Sequence, residues 1–158
     1  MRTQSLHWME PEPTFAEAAR ILRPGGVFAA YDYDWPPVVD PEVDAAFVAY
    51  QARRAEMRAR RGIQLGADRW AKPHHLERMQ ASGRFRQCRE VVLHSVEDGN
   101  AERVGGLARS LGLPIADPDD PELERELRIT ELEAVAGAVL GAQVVPFVFG
   151  YRVRLGVV

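Results

Sequence analysis

The chain has 158 residues, enough for one domain of ordinary size and scarcely two. At 46% hydrophobic and 27% charged it matches soluble globular domains, which excludes a disordered tail, a collagen-like repeat and a membrane protein. Lys+Arg 20 against Asp+Glu 23 leaves a net charge of −3, so no long-range basic field gathers nucleic acid.

Cys88 is the single cysteine, so neither an intrachain disulfide nor a thiolate zinc cluster can form. No apolar run reaches the ~18 residues that span a bilayer. The opening MRTQSLHWMEPEP lacks the apolar stretch of a signal peptide. The expectation is a single domain, residues 1–158, in a reducing cytoplasm, with no nucleic-acid, membrane or metal partner.

Residues 1–6 read as the tail of a strand or a lead-in, and His7–Pro13 as a proline-punctuated loop. Thr14 with Glu17 has capping-box spacing, which predicts a helix over 14–22 with Phe15, Ala18, Ala19 and Leu22 on one face. Arg23-Pro24-Gly25-Gly26 stops it. Val27–Tyr33 begins as a continuous apolar run, the pattern of a strand covered on both faces. It ends in Asp32, Tyr33, Asp34 and Trp35, at the carboxyl end where open α/β sheets bind ligands.

Asp40-Pro41-Glu42 combines a cap, a proline at the first helical position and an acid at the positive dipole end. The helix it opens carries an apolar stripe of Val43, Phe47, Tyr50 and Met57 and stops at Gly62. Arg53, Arg54, Arg58, Arg60 and Arg61 near its end read as a solvated, dipole-compensating face, with a phosphate patch as the sharper alternative. Residues 73–82 predict a short helix, with His74 and His75 diverging by about 100° as a surface pair. A strand over 86–96, a turn at 97–100 and a glycine-weakened helix over 101–111 follow. Residues 114–121 read as loop, 122–140 as one long helix and 144–157 as a closing strand.

Two stretches carry a family resemblance: SLHWMEPEPTFAEAARILRPGGVFAAYDYDW (5–35) and HLERMQASGRFRQCREVVLH (75–94). Together they resemble the carboxyl-terminal half of a class I S-adenosylmethionine-dependent methyltransferase of the small-molecule type. The Arg20–Gly26 run, RILRPGG, is the most specific piece. The resemblance implies an α/β fold: a partial doubly wound, Rossmann-like sheet with strands in the family order 4-5-7-6, the last antiparallel, and helices on both faces. It implies S-adenosyl-L-methionine as cofactor and a small molecule as methyl acceptor. Gln4, Ser5, His7 and Trp8 would then line the cofactor pocket, and Asp32, Tyr33, Asp34 and Trp35 the substrate side. It assigns no catalytic residue. Methyl transfer needs in-line approach and aromatic faces that tolerate a sulfonium more than acid–base help. Two alternatives stand beside this. Trp8 can instead staple its loop to the next helix, and Asp32 and Asp34 can serve turn chemistry before Trp35-Pro36-Pro37.

The family's glycine-rich cofactor loop has no counterpart in the sequence. Gly25-Gly26 follows proline, and Gly105-Gly106 falls within a predicted helix. The expectation is a truncated, methyltransferase-like chain that binds the cofactor weakly or not at all alone. The rival expectation is a non-catalytic half-domain. Its sheet edge beside Val27–Tyr33, covered only by residues 1–6, would pair with a second copy or a partner chain.

Overall fold

The computed structural model describes residues 2–3, 6–63, 70–111 and 121–158. Four strands, β1 (Arg2–Thr3), β2 (Val27–Tyr33), β3 (Gln87–Gly99) and β4 (Val145–Val157), form one sheet in the order β1-β2-β4-β3. β1 runs parallel to β2, with Arg2 opposite Ala30 and Thr3 opposite Tyr31. β4 runs antiparallel to β2 along its whole length, from Val27 opposite Val157 to Tyr33 opposite Tyr151. Six α-helices are described: α1 (Pro11–Ile21), α2 (Pro41–Arg60), α3 (His75–Ala81), α4 (Ala101–Ser110), α5 (Pro121–Leu127) and α6 (Ile129–Leu140). The architecture is α/β.

The chain packs as two compact units. The first comprises residues 1–35, 65–94 and 150–158. Its core joins Leu6, Phe15, Ala18, Phe28, Ala30, Met79 and Phe85. Phe28 and Phe85 stack at 5.6 Å, and Phe15 meets both edge-on at about 6 Å. Gly156 is demanded here, because a β-carbon on it would stand 2.7 Å from the Phe85 ring.

The second unit comprises residues 36–64 and 95–149. α6 packs against α2 and α4, and α2 against α5. The predicted stripe of Val43, Phe47, Tyr50 and Met57 is buried, as are Val104, Ala108, Leu132 and Phe147. The Tyr50 hydroxyl donates to the Ala108 carbonyl at 3.0 Å, satisfying a polar tip taken into the core. α2 starts as expected, with Asp40 Oδ1 accepting from the Glu42 N–H at 2.9 Å. Of the arginines near its end, Arg53 donates to the Leu127 carbonyl at 3.1 Å and Arg54 to that of Leu111. Arg60 and Arg61 pair with Glu126. They tie α2 to its neighbours.

Five expectations need correction. α1 begins at Pro11, not Thr14. Prolines in a first turn lose no hydrogen bond, and the Thr14 hydroxyl donates back to the Glu10 carbonyl at 2.6 Å instead of capping. β2 is not covered on both faces: Phe28, Ala30 and Asp32 are buried, and the residues alternating with them are more open. β3 continues through Glu97–Gly99 where a turn was expected, and Asn100 caps α4 through the Arg103 N–H at 3.0 Å. The long carboxyl-terminal helix is two, broken at Arg128 in the left-handed region, φ 52°. Leu127 and Ile129 are both buried. On one continuous helix they would point about 200° apart, and only the break lets both face inward. Lastly, His75 is not a surface residue but fully buried. The expected loop at 114–121 lies, up to residue 120, outside the described residues.

Gly156→Ala is expected to lower stability by about 1–3 kcal/mol through overpacking against Phe85 and Met79, read by chemical denaturation. An unchanged midpoint would contradict that packing.

Candidate functional site

Between the end of β1 and α1, residues Leu6–Trp8 form one 3-10 turn, with Leu6 and His7 buried. The His7 carbonyl accepts from the Trp70 N–H at 2.8 Å, which fixes the turn. The His7 ring then lies beside the carboxyl end of β2. Its Nδ1 is 3.8 Å from Asp32 Oδ1, and the Trp8 ring, 39% exposed, tilts against it at 5.1 Å. Lys72 Nζ approaches the same Asp32 oxygen at 3.4 Å.

The other Asp32 oxygen accepts from Arg154 Nη1 at 2.6 Å. Arg154 is 1% exposed, and its Nε lies 2.9 Å from Glu90 Oε2. Glu90 also meets Arg152 at 3.3 Å, and Arg152 donates to Asp34 Oδ1 at 3.0 Å. A chain of alternating charge thus runs Asp34–Arg152–Glu90–Arg154–Asp32 and ends on Lys72 and His7. An arginine so deeply buried stays charged at any accessible pH. Carboxylates on two neighbouring strands are therefore a condition of the fold.

His75, on α3, faces the same cluster. Burial pushes its pKa down to about 4, helped by the positive fields of Arg154, Arg78 and His7 and opposed by Asp32. Its Nδ1 is 3.4 Å from Arg78 Nη1, and its Nε2 has no hydrogen-bond partner among the described residues. Arg78 lies over the Trp70 ring at 5.2 Å.

Of the residues singled out in the sequence, the structure brings together His7, Trp8 and Asp32. Tyr33 and Trp35 pair separately at 5.3 Å, with Tyr151 at 6.4 Å from Tyr33. Asp34 joins the charge chain through Arg152. Gln4 and Ser5 lie outside the described residues. Asp32 is tied into the sheet by Arg154 and serves no turn. Glu90, Lys72, His75 and Arg154 were not anticipated. The available signal was Arg152 and Arg154, two like charges on one side of a strand whose other neighbours are apolar, a pattern that calls for buried carboxylates.

The described glycines with left-handed backbone, Gly25, Gly62, Gly83 and Gly141, all follow helices. None occupies a strand-to-helix turn, so these residues build no glycine cradle for a nucleotide. No group of three or more His, Cys, Asp or Glu among them is arranged to hold a metal ion. No described helix is long and apolar enough to cross a membrane.

No family model matches the chain, and no curated protein matches it. Among solved structures it is similar to a "putative Type II methyltransferase" from Anaeromyxobacter dehalogenans, at 21% identity and a TM-score of 0.55. The match covers 98% of this chain and 62% of that one. What is shared is the fold. The chain thus shares the α/β fold of that structure and spans less than two thirds of that protein's length. A second structure, described in like terms as a sarcosine dimethylglycine methyltransferase from Galdieria sulphuraria, aligns over 95% of this chain at 17% identity and a TM-score of 0.31, too low to carry an argument.

Two outcomes test the cluster. Asp32→Ala leaves Arg154 buried beside Glu90 alone and is expected to cost about 3–5 kcal/mol in denaturant unfolding, whereas Asp34→Ala, at the exposed end, should cost about 1 kcal/mol or less. The depressed pKa of His75 sets a pH dependence. The unfolded chain takes up a proton near pH 6.5 and the folded chain only near 4, so stability present above pH 6.5 is lost as pH falls toward 4. His75→Gln should flatten that part of the stability–pH curve; an unaltered slope would assign the loss to other groups.

Proposed function

We propose that this chain forms the carboxyl-terminal part of a single methyltransferase-type domain, which in its complete form moves a methyl group from S-adenosyl-L-methionine to a small molecule. The observation that carries the reading is the fold match over 98% of the chain. Its strands support it as well: numbered as in the resembled family, β1, β2, β4 and β3 become 4, 5, 7 and 6, with β4 antiparallel to β2. So does the position of the His7–Asp32 pair, at the carboxyl end of β2, where α/β sheets place ligands.

In this reading Gln4, Ser5, His7 and Trp8 border the methionine end of the cofactor. Trp8 offers a half-exposed aromatic face of the kind that tolerates a sulfonium. Tyr33 and Trp35 border the acceptor, with Asp32 and Asp34 behind them. Asp32 acts as a positioning residue: held by Arg154 at one oxygen, it presents the other to His7 and Lys72. The described residues do not fit the whole cofactor, since no glycine turn is among them to close around the adenosine. They fit one wall of its site.

Isothermal titration of the chain with S-adenosyl-L-methionine is the test. Absent or millimolar binding is expected, and micromolar affinity would overturn the assignment of the adenosine grip to segments beyond this wall.

A specific observation favours a second reading, a non-catalytic module that pairs through β2. All seven β2 residues pair with β4, but only Ala30 and Tyr31 pair with described residues of β1. Beside the remainder runs an apolar groove of about 440 Å³ lined by Met9, Pro13, Ile21, Leu22, Val27 and Phe28, with Ile21 and Val27 largely exposed. Photo-crosslinking from a diazirine amino acid placed at Val27 or Ile21 that traps a second chain would favour this module.

A further inference from the structure

At the far end of the sheet, β3 is the terminal strand, so the N–H and C=O groups along its outer edge meet no described strand. It is thirteen residues long, more than twice the ordinary strand, and most of it is open to solvent. Val92, Leu93 and Val96 are 62%, 53% and 56% exposed. Val92 and Val96 project on one face and Leu93 on the other. Proteins guard such edges with lysine, proline or inward charges. Val91–Val96, VVLHSV, contains none of these. Charges begin only outside this apolar stretch, with Arg89 and Glu90 before it and Glu97 and Asp98 after it.

We propose that the outer edge of β3 is a homodimer interface, on which a second copy of this chain adds its own β3 antiparallel. The order of charges along the strand favours a copy of itself. A twofold axis perpendicular to the sheet, passing at Leu93, sets Arg89 opposite Glu97 of the other copy, and does so twice. The same register sets Val91 opposite Ser95 and Glu90 opposite Val96, and opposes no like charges. Moving the axis to His94 would set Glu90 against Asp98, two carboxylates. Moving it to Val92 leaves Arg89 opposite Ser95, without a charge partner. Only the register at Leu93 gains two opposite-charge cross-strand pairs, the arrangement that stabilises antiparallel ladders. Arg89 is available for this: it is exposed and makes no ion pair with any described residue. Glu97 is bound on its own chain by Arg103 but keeps a side-chain exposure of 45%. The interface is isologous and closes on itself, and it joins the two sheets into one of eight strands.

The experiment is sedimentation velocity of the full chain across a concentration series, with far-UV circular dichroism to verify folding of each variant. A reversible dimer is expected. Leu93→Lys should abolish it, and Arg89→Glu and Glu97→Arg should each weaken it about tenfold, because each turns two attractions into repulsions. The double variant R89E/E97R should restore it, a gain of association that misfolding cannot mimic. A monomer throughout the series, or a dimer indifferent to Leu93→Lys, would overturn the proposal. So would a dimer lost on Val27→Lys and kept on Leu93→Lys, which would place association at β2. Cofactor affinity plays no part in any of these readouts, so this proposal and the methyltransferase reading fail separately.

Discussion

A guanidinium buried to 1% exposure inside a sheet is the constraint around which the first unit is arranged. Arg154 cannot shed its charge, and desolvating it is recovered only by carboxylates at hydrogen-bonding distance. Asp32 on β2 and Glu90 on β3 provide them, at 2.6 and 2.9 Å from its nitrogens. The three strands flanking and containing the arginine are thereby fixed in relation to one another by charge as well as by backbone pairing. A one-residue slip of β4 would carry Arg154 to the other side of the sheet and leave both carboxylates without it. The cluster thus specifies register in the part of the sheet nearest the expected ligand end.

This arrangement changes the meaning of Asp32. A carboxylate at the carboxyl end of a strand in an α/β sheet suggests a ligand contact, and position alone makes that case. With one oxygen engaged by Arg154 and the other facing Lys72 and His7, its chemistry is that of an anchor that orients the groups around it. Trp8, with its ring at the surface, and the Tyr33–Trp35 pair remain the side chains with faces to offer.

Much of this was legible in the chain. The strand 27–33 and the helix opened by Asp40-Pro41 fall where local chemistry puts them, because caps, prolines and apolar spacing agree there. The closing strand, 145–157, falls within a residue of its expected start. Two of the misses share a cause: a partner distant in sequence decided each. The break at Arg128 serves two side chains that must both turn inward, while Arg53, seventy-four residues earlier, takes the Leu127 carbonyl. His75 looks like half of a surface pair, and is buried facing Asp32 and Arg154, whereas His74 stays outside with Glu77 at 3.0 Å. The site was half visible: His7 and Asp32 could be singled out, but Arg154 and Glu90 are joined to them only by the sheet.

Nineteen of the chain's twenty basic side chains are guanidinium groups; Lys72 is the single amine among them. That one amine stands against Asp32 at 3.4 Å, with about a third of its side chain open to water. Reagents that acylate or reductively alkylate primary amines therefore meet a single side-chain target, set at the mouth of the charged cluster. Acylation, which removes its charge, would leave Asp32 to Arg154 and His7, whereas reductive alkylation would keep the charge, so the chemistry that labels this chain most selectively also probes its most guarded carboxylate.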